Sequence, residues 1–253
     1  MATKKVKPQP AVDGFILDNH CILPPEGLIV RNFTHEPWIK SEFVKQRKLP
    51  VTQLVIHRGA ESTVNAAKKT KAVLDNRKLS TLFTVDNDGV VYQHYDPSNL
   101  RGLHCSFHNV QSDSIDVAGV FTKANKAALD SQRLQTLDVA IGKSKNYNNP
   151  EKRNMVRFQF WSLTPEQEVA LNLLIPFWCD LRNIPKTIYT EHRSCRVGNL
   201  GINDPITDVR GVFSHCQLSN PGSRVDGIEV VDLLSKRTDF AQVRTFEEFL
   251  GTR

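Results

Sequence analysis

Three side chains in this sequence have the types and settings expected of zinc ligands. His57 ends a β-rich run at 51–57, and His215 lies in a second such run at 211–219. Asp226 follows after a loop containing Pro and Gly, which can fold a carboxylate back beside the preceding strand. Imidazole and carboxylate bind zinc well, and a catalytic site needs three such ligands plus an open position for water. A lone histidine on a strand is more often a packed residue, so the surrounding motifs must decide between the two interpretations.

The segments that would position these residues alternate between strand and helix patterns. The run 51–57 (VTQLVIH) is typical of a buried strand, and 61–78 is rich in Ala and Lys, which favours an exposed helix. The segment 82–95 predicts a hairpin around Asp88-Gly89, because Asp-Gly suits a tight turn, and 114–121 predicts another strand. Such alternation predicts an α/β domain with a central mixed β-sheet flanked by helices.

The clearest helix signal begins at Thr164. Thr164 is a suitable N-cap, Pro165 fits the first helical position, and Gln167 completes a capping box. Pro176 lies inside the same apolar pattern, so we expect it to kink or split the helix.

The domain organisation follows from changes in composition. Residues 1–45 begin with a basic tail and contain Pro24, Pro25 and Pro37 between short apolar pieces, which indicates an N-terminal extension. One domain is expected over 46–253, with the polar segment 122–160 as a surface insertion.

Composition and charge narrow the class of protein. The 253 residues are 40% hydrophobic and 24% charged, as in ordinary soluble domains, and the net charge of +6 favours an anionic partner. Basic residues are not interleaved with aromatic ones, so we expect no nucleic-acid partner. No apolar run is long enough for a signal peptide or a membrane span, which predicts cytoplasmic synthesis. Five scattered cysteines fit reduced thiols, and nothing signals an oligomer, so a monomer is expected.

Six segments occur in an order that carries a family resemblance. They are VIHRGAES, the hairpin LSTLFTVDNDGVVYQHY, LHCSFHN, SDSIDVAG, LTPEQ and SHCQLSNPGSRVDG, and together they span roughly residues 50 to 235. In this order they resemble the type 2 N-acetylmuramoyl-L-alanine amidases. That family includes phage lysozyme-like amidases, cytoplasmic recycling amidases and peptidoglycan recognition proteins.

The resemblance implies a zinc hydrolase. It assigns the Zn²⁺ ligands to His57, His215 and Asp226, and it places Arg224 where a cation stabilises the oxyanion. The implied reaction is hydrolysis of the amide bond between N-acetylmuramic acid and L-alanine in peptidoglycan or muramyl-peptide fragments. With no export signal, the implied setting is a phage endolysin that reaches the cell wall on lysis or in a virion, with a cytoplasmic recycling amidase as the alternative.

The same resemblance implies two substrate-binding residues. His104 falls at a Trp-His position that lines the substrate groove, and Asn109 matches an asparagine that contacts the peptide stem. The family's tryptophan is replaced by Leu103, so that wall of the groove must differ.

The general base is where the sequence departs from the family. One branch has a Glu where this chain has Ala118, and another has a Tyr where it has Thr81. Asp116 shares a strand face with Ala118, about 6.6 Å away, and is one candidate base. Glu191, in the segment TEHRS, is the other.

Two other functions stay open at this point. The missing Glu and Tyr favour a module that binds peptidoglycan without cutting it. A structural-zinc or nucleic-acid-binding protein is the second alternative, because Cys105 and His108 are spaced by two residues, as are His192 and Cys195.

Overall fold

The structure is a computed structural model that describes residues 13–59, 66–119, 130–141, 154–189, 210–218 and 226–243. The first seven strands are β1 (Phe15–Leu17), β2 (His20–Ile22), β3 (Val30–Asn32), β4 (Lys45–Gln46), β5 (Gln53–Arg58), β6 (Phe83–Val85) and β7 (Val91–Gln93). The next seven are β8 (Leu100–Arg101), β9 (Ser112–Val117), β10 (Leu134–Ile141), β11 (Asn154–Trp161), β12 (Thr187–Tyr189), β13 (Gly211–Ser214) and β14 (Ala241–Val243). The helices are α1 (Ala66–Asn76), α2 (Pro165–Arg182), α3 (His215–Leu218) and α4 (Ile228–Leu234), with 3₁₀ turns at Pro37–Ile39 and Ser106–Val110.

The central element is an eight-stranded sheet in the order β14-β12-β13-β5-β9-β6-β7-β3. Its strands are parallel except that β7 runs antiparallel to β6 and pairs in parallel with the edge strand β3. The predicted hairpin at 82–95 is therefore present as β6 and β7. The predicted α/β class with a central mixed sheet is confirmed. Among the described residues, no helix is both long and apolar enough to cross a membrane.

The two faces of the sheet bury different partners, because side chains alternate along a strand. On the α2 face, Leu54 and Ile56 belong to the main core with residues of α2 and α4. On the opposite face, Val55 packs in a second cluster with Cys105 and with Leu218 of α3. His57 follows the alternation of Val55, so we call this side the histidine face.

Helix α2 begins as the sequence predicts and is fastened to β9 at both ends. The Thr164 hydroxyl accepts from the Gln167 backbone N–H at 3.1 Å, and the Gln167 side chain accepts from the Thr164 N–H at 3.1 Å. Gln167 also donates to the carbonyl of Ala118, just beyond β9. At the other end, Arg182 pairs with Asp113 at the start of β9. Pro176 lies inside α2, which is not split there.

The described part of the predicted N-terminal extension packs against the domain. Phe15 is fully buried, and its ring centroid lies 5.6 Å from that of Phe83 and 5.5 Å from that of Trp178. Strand β3 forms one edge of the main sheet. The proposed boundary after residue 45 thus divides segments that share one core.

The predicted insertion at 122–160 contains two strands, β10 and most of β11, that its polar composition does not predict. β10 and β11 pair with each other in antiparallel register, from Leu134 opposite Trp161 to Ile141 opposite Asn154. They form a separate two-stranded sheet, and the other residues of 122–160, apart from 130–133, lie outside the described part of the chain.

Candidate metal centre

His57, His215 and Asp226 meet at the carboxyl ends of adjacent parallel strands. His57 is the penultimate residue of β5, and His215 directly follows β13, its neighbour in the sheet. The sequence predicts His215 inside a β-rich run, whereas the strand ends at Ser214 and His215 opens α3. Asp226 precedes α4. The carboxyl edge of parallel strands is where α/β proteins commonly bind ligands.

The three side chains are close enough to share one ion. One ligand-type atom from each lies within 4.8 Å of the others. Asp226 Oδ2 is 2.7 Å from His215 Nδ1 and 3.7 Å from His57 Nδ1, and the two imidazole centroids are 4.4 Å apart. The exposed side-chain fractions are 9% for His57, 16% for His215 and 20% for Asp226, so each side chain keeps some contact with solvent.

Backbone contacts hold Asp226 against β5. Its Oδ1 accepts from the N–H of Arg58, and its carbonyl accepts from the N–H of Cys216 at 3.1 Å. Gly227 makes this approach possible: its φ is +79°, and a Cβ there would lie 2.2 Å from the carbonyl oxygen of Ile56. The sequence motifs do not single out Gly227, although a glycine directly after a ligand candidate is a signal for close backbone approach.

The charges in the cluster favour one ion pair and one neutral imidazole. Burial lowers the pKa of His57, and the neighbouring His215 acts in the same direction. Burial also opposes charge on His215, but hydrogen bonds to Asp226 and Cys105 outweigh it and raise its pKa to about 10. Burial works against the Asp226 carboxylate as well, yet its hydrogen bond to His215 and the nearby His57 hold its pKa below the usual range.

Asp116 lies beside the cluster on the same face of the sheet. It pairs in register with His57 across β5 and β9, and it is 5% exposed. Its Oδ1 is buried and has no hydrogen-bond partner among the described residues. Burial and the nearby Asp226 raise the pKa of Asp116 to about 7, while Arg58 acts in the opposite direction. A carboxyl group with these properties is suited to exchanging a proton near neutral pH.

His104 and Asn109 lie behind the cluster, and both are buried at 8% exposure. His104 Nδ1 is 3.0 Å from His57 Nε2, and His104 Nε2 is 3.1 Å from the hydroxyl of Ser112. Asn109 Oδ1 accepts from the N–H groups of His104 and Cys105 at 2.8 and 2.7 Å. The substrate contacts predicted for His104 and Asn109 stay predictions. The contact between His104 and His57 has no local sequence signal, since 47 residues separate them.

The remaining candidates divide between described and undescribed segments. Arg224 and Glu191 lie outside the described residues, so their predicted roles stay predictions. His192 and Cys195 of the alternative zinc site lie outside them as well. Within the described part of the chain, the group of potential metal ligands consists of His57, His215 and Asp226 and does not include Cys105.

Fold and site together define an α/β protein with a candidate His-His-Asp metal centre at the carboxyl edge of its main sheet. No family model and no curated protein matches the chain. Several solved structures do, and they are peptidoglycan recognition proteins and N-acetylmuramoyl-L-alanine amidases, the proteins that the sequence motifs resemble.

Three of these structures give the range of similarity. The complex of peptidoglycan recognition proteins LCa and LCx with tracheal cytotoxin matches at 16% identity and a TM-score of 0.45, covering 84% of this chain and 98% of that chain. Drosophila peptidoglycan recognition protein SA matches at 13% identity and a TM-score of 0.46, and the match covers 86% of this chain and 96% of that chain. The amidase LysC of Clostridium intestinale URNW matches at 13% identity and a TM-score of 0.38, and the match covers 82% of this chain and 91% of that chain. At these values the similarity concerns the fold, and no residue's role is carried over.

Proposed function

We propose that this protein is a zinc-dependent amidase that hydrolyses the bond between N-acetylmuramic acid and L-alanine in peptidoglycan. The observation that carries the proposal is the convergence of His57, His215 and Asp226, whose ligand-type atoms lie within 4.8 Å of one another. These residues are 158 and 11 positions apart in the sequence, and the fold brings them to one edge of the sheet.

The donor set fits zinc. Two imidazole nitrogens and one carboxylate oxygen are typical of catalytic sites, which use three protein ligands and leave a fourth position open. The partial exposure of His215 and Asp226 leaves room on one side for water or substrate. Zinc at a site of this composition supplies polarisation of a carbonyl group and activation of water.

The proton transfers are assigned to Asp116. Its unpartnered Oδ1 accepts a proton from the water that attacks the lactyl carbonyl, so that the carboxyl group is neutral after this step. The amide C–N bond then breaks, and the same proton passes to the departing nitrogen of L-alanine. In the metal-free protein burial raises the pKa of Asp116 to about 7, which suits a group that both accepts and returns a proton.

The choice of peptidoglycan rests on the order of sequence motifs, and the net charge of +6 suits an anionic cell-wall polymer. A lytic role of the endolysin type is the setting we propose. Arg224 and Glu191 keep their predicted roles as oxyanion partner and alternative base.

A second candidate function is binding of peptidoglycan fragments without hydrolysis. Its support is specific: Ala118 and Thr81 occupy the two positions where the family has its bases, and both are buried here. If neither Asp116 nor Glu191 serves as the base, the centre would bind muramyl peptides and leave them intact.

Digestion of purified peptidoglycan separates the two functions. We expect the zinc-loaded protein to release new N-terminal L-alanine, which is measured by labelling free amino termini. His215→Ala should abolish the release, whereas His20→Ala, an exposed histidine on β2, should leave it unchanged. Stoichiometric zinc binding and retention of muramyl peptide without new termini would favour the binding function. Hydrolysis that survives His215→Ala would contradict the proposed centre.

A further inference from the structure

A chain of hydrogen bonds runs from His57 away from the candidate metal centre and ends on a backbone carbonyl. His57 Nε2 is 3.0 Å from His104 Nδ1, and His104 Nε2 is 3.1 Å from Ser112 Oγ. The Ser112 hydroxyl donates to the carbonyl oxygen of His108 at 2.6 Å. All four residues are buried, with exposures of 8% or less, and Ser112 is fully inaccessible.

The carbonyl at the far end fixes the direction of every bond in the chain. A carbonyl can only accept, so the single hydroxyl proton of Ser112 points to His108. Ser112 Oγ must then accept from His104 Nε2–H. A neutral imidazole carries one N–H, so His104 Nδ1 has a lone pair and accepts from His57 Nε2–H. His57 is left with a lone pair on Nδ1, the nitrogen that faces Asp226 at 3.7 Å.

The segment that carries His104 is itself fastened at both ends. Asn109 Oδ1 accepts from the backbone N–H groups of His104 and Cys105. The ring of His108 bonds through Nδ1 to Gln53 Oε1 at 2.9 Å, which ties the segment to the beginning of β5. His57 lies on that same strand, so the segment and the ligand candidate share one rigid support.

We propose that His104, with Ser112 behind it, is a positioning residue that holds His57 in the tautomer and ring orientation needed to bind a metal through Nδ1. The proposal rests on the zinc site of the proposed function. It differs from the substrate contact that the resemblance implies, because both ring nitrogens of His104 are engaged inside the protein. Outer partners of this kind typically change metal affinity about tenfold to hundredfold when removed.

The test combines zinc affinity with the tautomer of His57. Affinity is measured by competition with a chromophoric chelator at fixed pH, and the tautomer is measured by ¹⁵N NMR of the zinc-free protein labelled at histidine. We expect the proton of wild-type His57 on Nε2. His104→Leu should weaken zinc binding about tenfold to hundredfold and release His57 into a mixture of tautomers. His104→Asn, whose amide oxygen can replace the lone pair of Nδ1, should restore much of the affinity.

A matched pair of serines on β9 provides the control. Ser112 and Ser114 are two residues apart on the histidine face and are both fully buried, but Ser114 Oγ accepts from the N–H of Leu82 instead of an imidazole. Ser112→Ala should weaken zinc binding and change the His57 tautomer, and Ser114→Ala should do neither. The small Ser112→Ala change also tests the chain if His104→Leu does not fold.

The outcomes separate this inference from the proposed function. If Ser112→Ala and His104→Leu bind zinc as tightly as Ser114→Ala and leave His57 unchanged, the positioning role is wrong. If the wild-type protein binds no zinc, the proposed function fails, and the wild-type tautomer still decides the inference: a proton on Nδ1 of His57 overturns it.

Discussion

Two buried aspartates lie on opposite faces of β9, and their carboxylates differ in the partners that they contact. Asp113, on the α2 face, is fully buried, and its oxygens contact Arg47 at 2.5 Å, Arg182 at 3.2 Å and Trp178 Nε1 at 3.0 Å. Asp116, on the histidine face, is almost as buried, yet its Oδ1 has no partner among the described residues. The first carboxylate has partners on both oxygens, and the second has one buried oxygen without a hydrogen-bond partner among the described residues.

The difference separates a structural role from a chemical one. A buried charge that is fully paired holds elements together, and Asp113 joins β9 to α2 and to the segment that carries Arg47. A buried carboxyl oxygen without a partner costs stability, and its position beside two histidines supports the proton-transfer role proposed for Asp116. Substitutions on the two faces should therefore have opposite effects on stability and activity.

The largest expected effect is loss of amidase activity in Asp116→Asn. Without a carboxylate to take the proton, kcat/KM on a muramyl peptide should fall about 10²- to 10⁴-fold. The free energy of unfolding should not decrease, because an amide is cheaper to bury than an unpaired carboxyl group. Full activity in this variant would contradict the role of Asp116 and make Glu191 the remaining base candidate.

Asp113→Asn should lower the free energy of unfolding and leave the amidase activity of the folded protein unchanged. It leaves Arg47 and Arg182 buried beside a neutral group, and removing one partner of a buried ion pair costs about 3–5 kcal/mol. The measurement is urea unfolding of the zinc-free protein. If this variant loses activity at temperatures where it remains folded, the division between the two faces does not hold.

Acid should destabilise the protein through His94, a buried histidine whose two ring nitrogens both have hydrogen-bond partners. His94 bonds to Thr84 Oγ1 and to the carbonyl of Ile39, and burial lowers its pKa from 6.5 to about 4. The unfolded chain therefore binds the proton at higher pH than the folded one. The stability from neutral His94 is complete above pH 6.5 and is lost as the pH falls toward 4.

The size of this loss is measurable by urea unfolding at pH 7 and pH 5. One such histidine accounts for about 2 kcal/mol over that interval. In His94→Gln, which cannot be protonated, the loss should be smaller than in wild type by about this amount. An identical pH dependence in both proteins would show that His94 is not the group responsible.

The smallest expected effect concerns the N-cap of α2. Thr164→Ala removes the N-cap hydroxyl and should cost about 1 kcal/mol in unfolding free energy. Thr238→Ala, at an exposed position, is the matched control and should be neutral. A cost far above this value would mean that Thr164 supports the β6–β7 turn as well as the helix, through its bond to the carbonyl of Asn87.

Local signals in the sequence predict the parts of the fold that depend on local chemistry. The strand with His57, the hairpin around Asp88-Gly89 and the capping box at Thr164 each follow from turn, cap and alternation patterns, and all are present. The edge strand β3 and the β10–β11 pair are not predicted. β3 has only three residues and pairs with a distant strand, and the alternating residues of β11 (MVRFQFW at 155–161) lie in a segment whose overall polar composition predicts an insertion.

In the candidate site as well, local motifs predict some residues, whereas the long-range contacts around them are not predicted. Residue types and motif order identify His57, His215 and Asp226, and the structure brings them together. The contacts that define the surroundings are long-range: Asp113 meets partners 65 to 69 residues away, and His104 meets His57 across 47. No periodicity or local motif encodes such pairs, which explains why a supporting role for His104 is not apparent from the sequence.

Zinc stoichiometry tests the central claim most directly. Equilibrium dialysis of the metal-free protein against zinc should give one ion per wild-type chain and none in Asp226→Ala, while Asp113→Asn, measured where it is folded, should still bind one. Failure of the wild-type chain to bind zinc, or binding that persists in Asp226→Ala, would contradict the assignment of a metal centre to the carboxyl edge of this sheet.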